Sequence, residues 1–367
     1  MSEAGAPGVS TGTLERLRLY AARNERRLAV YFFVGGFLFD ILTLGRIDSW
    51  LTIVQQATYL AIVTLILAQM LAAEKAPAAP PRSKLERWYL EYRNPALHFL
   101  LGALLSAYTV FFFKSSSLLV SFGFMAVLVG LLLANESARF KALGVPFKFA
   151  LAGLCWLAFF SYVVPVLIGR TGLVVFLLSM AVGCVPLFLV ALWFPREKRR
   201  RILIPLGCVV IGFLSFYLFR LIPPVPLSIP FMGVYHGVER TDLGYKLTHE
   251  RPGWRVWENG DQQFRAQPGD KVHVYFRIFS PARFADQVLM KWYLHKSEVG
   301  WVLQDTIPIR ILGGREEGFR GYGVKSRYEP GEWKVQVETT DGREIGRIYF
   351  RLENAAESPR SFAAELD

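Results

Sequence analysis

In the stretch GGFLFDILTLGRID, residues 35–48, an aspartate interrupts an apolar run. Asp40 is the one acidic residue well inside an apolar stretch long enough to cross a bilayer. A carboxylate in that setting costs several kcal/mol unless it is paired, so it is a functional candidate by default. At about 1.5 Å per residue it lies roughly 7–8 Å from the end of its run at Gly45, near an interface and not at mid-membrane. Partners are at hand in Arg46 and Asp48 of the following turn, Gln55 and Gln56 on the next run, and Arg220 at the end of the last one. Together these residues form either a ligand or docking pocket at one mouth of a helical bundle or an ion pair that locks a helical hairpin.

A second concentration is GGREEGFRGYGVKSRY, with Arg315, Arg320, Tyr322, Lys325 and Arg327 among glycines. Arginine is a planar, bidentate donor and tyrosine an amphipathic platform, a pairing suited to anionic or sugar groups. Strict strand alternation sends Arg320 and Tyr322 to one face and Lys325 and Arg327 to the other, which instead describes a solvated strand and loop unless a bulge shifts the register. The histidines at 98, 236, 249, 273 and 295 have no metal spacing, although His273 and His295 are expected to point outward on neighbouring strands. Neither a nucleophile elbow, an HExxH helix, a phosphate loop nor a dinucleotide fingerprint occurs. No catalytic residue, metal or cofactor is therefore assigned. Cys155, Cys184 and Cys208 all fall in apolar runs and read as small buried hydrophobes, not as a disulfide framework.

The elements around these residues follow from hydropathy and charge. The 367 residues are 53% hydrophobic, too apolar for one water-soluble globule. Apolar runs at 28–45, 51–73, 96–113, 118–134, 149–168, 173–194 and 202–221 each approach the length of a membrane span. The first lacks a small-residue cleavage site and reads as a retained anchor. Residues 1–224 carry 22 Lys and Arg against 10 Asp and Glu, whereas the remainder carries 20 of each. The excess flanks alternate ends of the runs, with clusters at 16–27, 75–93, 139–148 and 196–201. By the positive-inside rule the N-terminus is cytoplasmic and, after seven spans, the C-terminal part is extracytoplasmic. Spans two to seven hold no ionisable group near their centres, which disfavours an ion relay. A basic face on the polar part, which nucleic-acid binding requires, is also missing. Gly102, Ser106, Gly207, Gly212 and Ser215 offer close helix packing, and Pro165, Pro186 and Pro205 offer kinks.

IPPVPLSIP follows the last run and cannot continue a helix, so it reads as a semi-rigid stalk. Beyond it the period changes to two. KVHVYFRIF, VLMKWYLHK, the stripe Trp301 to Ile311, Trp333 to Val337 and Ile348 to Leu352 alternate apolar and polar residues, with weaker strands near 255–258, 262–266 and 319–327. Asp341–Gly342 predicts a type I′ hairpin turn. Seven or so strands predict an immunoglobulin-like β-sandwich.

The sequence from Lys291 to Phe350 resembles the bacterial domain of unknown function 2914, in its Trp-bearing strand, its Arg/Ser/Lys segment, PGEW leading a strand, and a Gly turn before a final Phe strand. The resemblance spans roughly residues 230–353. It implies that Trp292, Trp333, Pro330, Gly331 and Gly342 are core and turn positions, and that the chain is a bacterial inner-membrane protein; it brings no reaction. The expected architecture is a cytoplasmic segment (1–27), an all-α bundle of seven transmembrane helices (28–221), a proline stalk (222–231), an all-β immunoglobulin-like sandwich (232–353) and a flexible tail (354–367). The expected role is a non-enzymatic extracytoplasmic binding module, its partners the bilayer and an envelope protein, polymer or lipid ligand. The alternatives are a membrane enzyme acting on a lipid-linked substrate at the outer face, or a transporter or channel.

Overall fold

The structure, a computed structural model, describes residues 45–367 apart from 75–82, 116–117, 243, 256, 282–283, 314–317 and 356–358, with backbone alone at 118–120. The chain divides into Met1–Gly45 and Arg46–Asp367; every element named below belongs to the second unit. The first expected span and Asp40 lie outside the described residues.

Six of the apolar runs are helices. They are α1 (Trp50–Ala73), α2 (Lys84–Lys114), α3 (Leu118–Glu136), α5 (Val145–Ile168), α6 (Leu173–Leu192) and α7 (Arg196–Leu218), with a single turn, α4 (Ala138–Lys141), between α3 and α5. By length and composition α1, α2, α5, α6 and α7 are long and apolar enough to cross a membrane. Local chemistry sets their ends. Ser83 and Ser137 accept hydrogen bonds from the amides of Glu86 and Phe140, capping α2 and α4. Gly169, at φ 76°, closes α5 in the left-handed conformation.

α5 is the hub, packing on α1, α2, α6 and α7. Its close approaches use glycines other than those the pattern singled out. A Cβ on Gly183 would sit 3.3 Å from the Leu157 Cα and the Trp156 carbonyl, and one on Gly153 would sit 3.0 Å from Leu206. Gly207 and Gly212 instead face open space, because small residues on a lipid-facing side leave no signature that distinguishes them from those at a contact. Outward-facing Leu65, Phe99, Phe122, Val174 and Ile204 are exposed, as are Trp50 and Trp193 near helix ends, where interfacial aromatics concentrate.

Eleven strands follow among the described residues. β1 (Ser228–Tyr235), β5 (Val272–Phe279) and β8 (Phe319–Lys325) form one sheet; β4 (Gln263–Ala266), β10 (Glu344–Asn354), β9 (Gly331–Thr339), β6 (Ala285–Lys296) and β7 (Gly300–Leu312) form a second, in those orders. β2 (Gly237–Thr241), β3 (Gly244–His249) and β11 (Ala363–Leu366) make a third, ordered β11-β3-β2. The first two enclose one core containing Val274, Phe276, Trp292, Trp333, Val335 and Phe350, so the polar third of the chain is a two-sheet sandwich. Gly321 and Gly323 let β8 lie flat on that core, since a Cβ at 323 would meet the Met290 Sδ at 2.3 Å and one at 321 the Phe276 ring at 2.9 Å.

Four expectations change here. Arg255, Trp257 and Glu258, where a strand was expected, belong to none. The Asp341–Gly342 turn has a positive φ at Gly342 alone, within a four-residue connection closed by the Thr339 amide on the Arg343 carbonyl, and so is not type I′. The proline segment is no exposed spacer: Ile222, Val225 and Leu227 are buried. The segment expected as a flexible tail holds β11, paired antiparallel to β3.

Candidate functional site

With Asp40 outside the described residues, the others expected at the bundle mouth make separate contacts. Arg46 and Asp48 pair at 3.1 Å on the exposed turn before α1, and the Arg46 guanidinium lies 5.2 Å from the Phe279 ring at the end of β5. Gln55 donates to the Tyr59 hydroxyl one turn along α1. Gln56 turns inward, where its carbonyl accepts from Tyr162 at 2.8 Å. Arg220, at φ 59°, covers the β9–β10 turn, its guanidinium carbon 3.1 Å from where a Cβ on Gly342 would be. At that end lies a junction between helices and sandwich that no periodicity announces. Arg343, between β9 and β10, donates to the carbonyls of Ile222 and Tyr217 at 3.0 and 2.9 Å. It also pairs with Asp341 at 2.9 Å and stacks 3.3 Å over the Tyr217 ring. Asp286 on β6 accepts from the Thr171 amide and hydroxyl. Beside these bonds lies a cavity of about 30 Å³ lined by Pro165, Thr171, Phe176 and Tyr217, room for a water or two.

The outer-domain patch also disperses. Arg320 and Arg277 reach the Asp367 carboxylate at 3.5 and 3.2 Å, and Tyr275 donates to it as well. Lys325, on the opposite face as alternation requires, pairs with Asp305 and lies 5.2 Å over Trp333. Tyr322 is exposed among Tyr245 and His273, Arg327 is exposed beyond the strand end, and Arg315 lies outside the described residues. His273 and His295 occupy β5 and β6, which belong to different sheets, so they are not neighbours.

A buried charge cluster is the first feature the sequence reading missed. His236 stacks on Phe264 at 4.0 Å. Its Nε2 lies 3.7 Å from both Glu250 and Asp261, and its Nδ1 lies 3.9 Å from Asp270, within ion-pair range but beyond hydrogen-bond reach. Arg360, leading into β11, pairs with Asp270 and approaches Glu250 at 3.8 Å. Burial pushes Asp261 up to about 6, against the Glu250 and Arg251 amides that favour its charged form. Burial likewise pulls His236 down to about 4, opposed by Asp270, and raises Glu250. For Asp270 burial is outweighed by the Arg360 bond and charge and the Gln267 amide, and its pKa falls. Among the described residues no group of three or more His, Cys, Asp or Glu is arranged to hold a metal ion. Through Arg360 the cluster ties the segment leading into β11 to Asp270 and Glu250 of the sandwich.

The second missed feature is a groove. Trp301, Trp333, Tyr349 and Phe350 line an open cavity of about 350 Å³ together with Glu258, Gln262, Gln263, Glu332 and Arg351. Its residues come from β4, β7, β9, β10 and the loop before β4, places more than 90 residues apart in sequence that only the sheet order unites. Trp301 and Tyr349 are the exposed pair, 36% and 43% accessible, with ring centres 5.6 Å apart.

Residues 285–352 match the family described as Protein of unknown function (DUF2914). The match is shorter than the expected 230–353 and covers β6 to most of β10; within it Trp292 and Trp333 are core residues and Gly331 and Gly342 have positive φ. No curated protein matches the chain. Among solved structures, a β-glucosidase from Listeria innocua in complex with glucose is 14% identical over 26% of this chain, with a TM-score of 0.20. The chain spans 15% of that enzyme's length. An immunoglobulin-like protein from Pseudomonas aeruginosa is 12% identical over 35% of this chain and 98% of its own, with a TM-score of 0.21. The alkylpurine DNA glycosylase AlkC of Pseudomonas fluorescens, bound to DNA containing an abasic site analog, is 12% identical over 85% of this chain and 99% of its own, with a TM-score of 0.24. Likenesses this slight decide nothing about activity.

Proposed function

We propose that the chain is an integral protein of a bacterial inner membrane, with a cytoplasmic N-terminus and a seven-span bundle. Its sandwich is a non-enzymatic binding module held in a fixed pose at the extracytoplasmic end. The polarity of the bundle carries this reading. At one end Lys198 donates to the carbonyls of Leu71, Ala72 and Glu74, Arg201 pairs with Glu74, and Arg199 caps the end of α6. The opposite end of α7 continues into the sandwich through the Arg343 junction. A basic end turned to the cytoplasm is what the charge bias of membrane insertion favours, and the buried proline segment supports a rigid mount over a flexible tether. The alternative of an enzyme acting on a lipid-linked substrate draws no support from the junction cavity, whose 30 Å³ cannot admit a lipid headgroup.

Orientation is the testable core. In a chain freed of its three cysteines, Gln304→Cys on exposed β7 and Arg139→Cys on α4 would be treated with a membrane-impermeant maleimide in spheroplasts. Labelling is expected at 304 in intact spheroplasts and at 139 only after lysis. The reverse pattern overturns the topology.

A further inference from the structure

The geometry points to the sandwich groove as a binding site for a neutral saccharide chain, with Trp301 and Tyr349 as its stacking platform. This rests on the sandwich being a binding module. A sugar ring presents a C–H face, which packs on an aromatic ring, and a rim of hydroxyls, each both donor and acceptor. A site for it therefore needs an exposed aromatic surface ringed by planar polar groups. The groove has both. Trp301 and Tyr349 stand open at its wall, while Trp333 and Phe350, 2% and 4% accessible, make a floor that cannot move away. The carboxamides of Gln262 and Gln263 supply donors and acceptors, the carboxylates of Glu258 and Glu332 acceptors, and the Arg351 guanidinium donors.

The platform is held in place before any ligand arrives. Lys334 lies 5.1 Å from the Trp301 ring and 4.3 Å from the Tyr293 ring, and His295 meets the edge of Trp301 at 5.0 Å. A tryptophan fixed from behind loses little freedom on binding, which is where shallow sites otherwise forfeit affinity. Charge selects among ligands. Glu258 is paired with Arg255 at 3.6 Å and Arg351 with Glu353 at 3.1 Å, while Lys334 beside Trp301 offsets Glu332, so the walls carry no net charge that would draw in a phosphate or sulfate polymer. A volume of 350 Å³ sits at the small end of the roughly 300–1,000 Å³ usual for ligand pockets, which suits a short run of sugar units. The loop that supplies Glu258 also exposes Trp254 and Trp257, 64% and 66% accessible and 5.5 Å apart, further stacking surface for a chain that continues past the groove.

The test uses the full chain in lipid nanodiscs, because detergents with sugar headgroups would compete. The probes are β-1,4-linked trisaccharides of glucose and of N-acetylglucosamine and an α-1,4-linked glucose trisaccharide, with a sulfated oligosaccharide and an extended neutral peptide for comparison. Binding is read by tryptophan fluorescence and calorimetry. At least one neutral trisaccharide is expected to bind saturably at up to millimolar concentration. Trp301→Ala and Tyr349→Ala should each weaken it about ten-fold, with Trp301→Phe retaining most of the affinity and all three variants unchanged in circular dichroism. Silence from every neutral trisaccharide, binding indifferent to both alanine variants, or capture of the peptide or sulfated probe instead overturns the assignment. Nanodisc binding does not depend on which way the domain faces in a cell, so this outcome and the maleimide result fail independently.

Discussion

Acidification acts on His236 and Asp261 in opposite senses. The imidazole titrates near 4 when folded, against an ordinary 6.5. Between those values the unfolded chain holds a proton that the folded one refuses, so this group withdraws stability as pH falls from 6.5 to 4. Asp261 titrates near 6 when folded, against an ordinary 3.8. There the folded chain takes the proton first, so this group adds stability as pH falls through 6 toward 3.8. At about 1.4 kcal/mol per pH unit, each amounts to about 3 kcal/mol across its window. Glu250, also raised, shares the sign of Asp261; Asp270, lowered, withdraws stability only below its ordinary 3.8. The native cluster should therefore contribute a nearly flat profile between pH 6.5 and 4, and single substitutions should unmask its halves. Asp261→Asn keeps an oxygen for the Glu250 and Arg251 amides and leaves the histidine alone, so its melting temperature should fall relative to the native chain by roughly 10 °C over that range, at roughly 3 °C per kcal/mol. His236→Gln, still flat enough to lie on Phe264, should rise relative to the native chain by a similar amount. Differential scanning fluorimetry of the full chain from pH 7.5 to 4 checks both. Native and variant curves that run parallel would refute the opposed-titration account, whatever their absolute offsets.

Three further outcomes follow from individual contacts. Arg343→Ala removes the donor to the Ile222 carbonyl, while the Tyr217 carbonyl keeps the Arg220 amide and Asp341 keeps the Tyr217 and Thr339 hydroxyls, which should cost about 1–3 kcal/mol; Arg343→Lys should recover little, since one ammonium cannot reach all three partners, and thermal unfolding reads both. Gly323→Ala drives a methyl into the Met290 sulfur and should cost about 1–3 kcal/mol, while adding Met290→Ala should return part of it in a double-mutant cycle. Gln56→Leu leaves the Tyr162 hydroxyl without its acceptor and should cost about 1 kcal/mol; Tyr162→Phe added on top should cost almost nothing more.

What could be read from the sequence depended on the range over which each feature is encoded. Apolar length and loop charge are local, and the runs from 51 to 221 became helices close to where they were expected. Strand alternation is also local. Val272 to Ile278, Val288 to Leu294 and Trp333 to Val337 each place alternate residues in the core, and Arg320 and Lys325 sit on opposite faces of β8 as that period demands. β1, β2, β3 and β11 escaped: β1 begins inside the proline-rich stretch and its buried half runs as a continuous MGVY without alternation, and polar, partly exposed strands such as GVERT and AAEL carry no alternation of hydrophobicity. The mouth residues were grouped by their distance from span ends, a measure blind to azimuth; Gln55 and Gln56 are adjacent, yet one faces out and the other in. The groove and the His236 cluster join residues from four or more segments. Register and sheet order create them, and neither property is written in any window of the chain.

The two halves handle buried polarity by different means, and the solvent around each explains why. Among the described helix contacts three inward polar pairs are neutral: Tyr162 on Gln56, Trp156 on Thr64 at 3.0 Å, and His98 on Asn135 at 2.9 Å; Lys148, buried and donating to Asn94 at 3.0 Å, is a charged exception. The helix-end contacts made by Lys198, Arg199 and Arg201 use lysine and arginine, with Glu74 as the acidic partner of Arg201. A charge between apolar helices has no water to relax into, so neutral hydrogen bonds are the cheaper way to specify their register. The sandwich, bathed in water, buries Asp261 and Glu338 outright, with Arg343 alongside, because backbone amides and opposite charges are dense enough there to replace hydration. Arg343 is where these regimes meet, its guanidinium donating to the Tyr217 and Ile222 carbonyls at the helix end while it pairs with Asp341 of the sandwich.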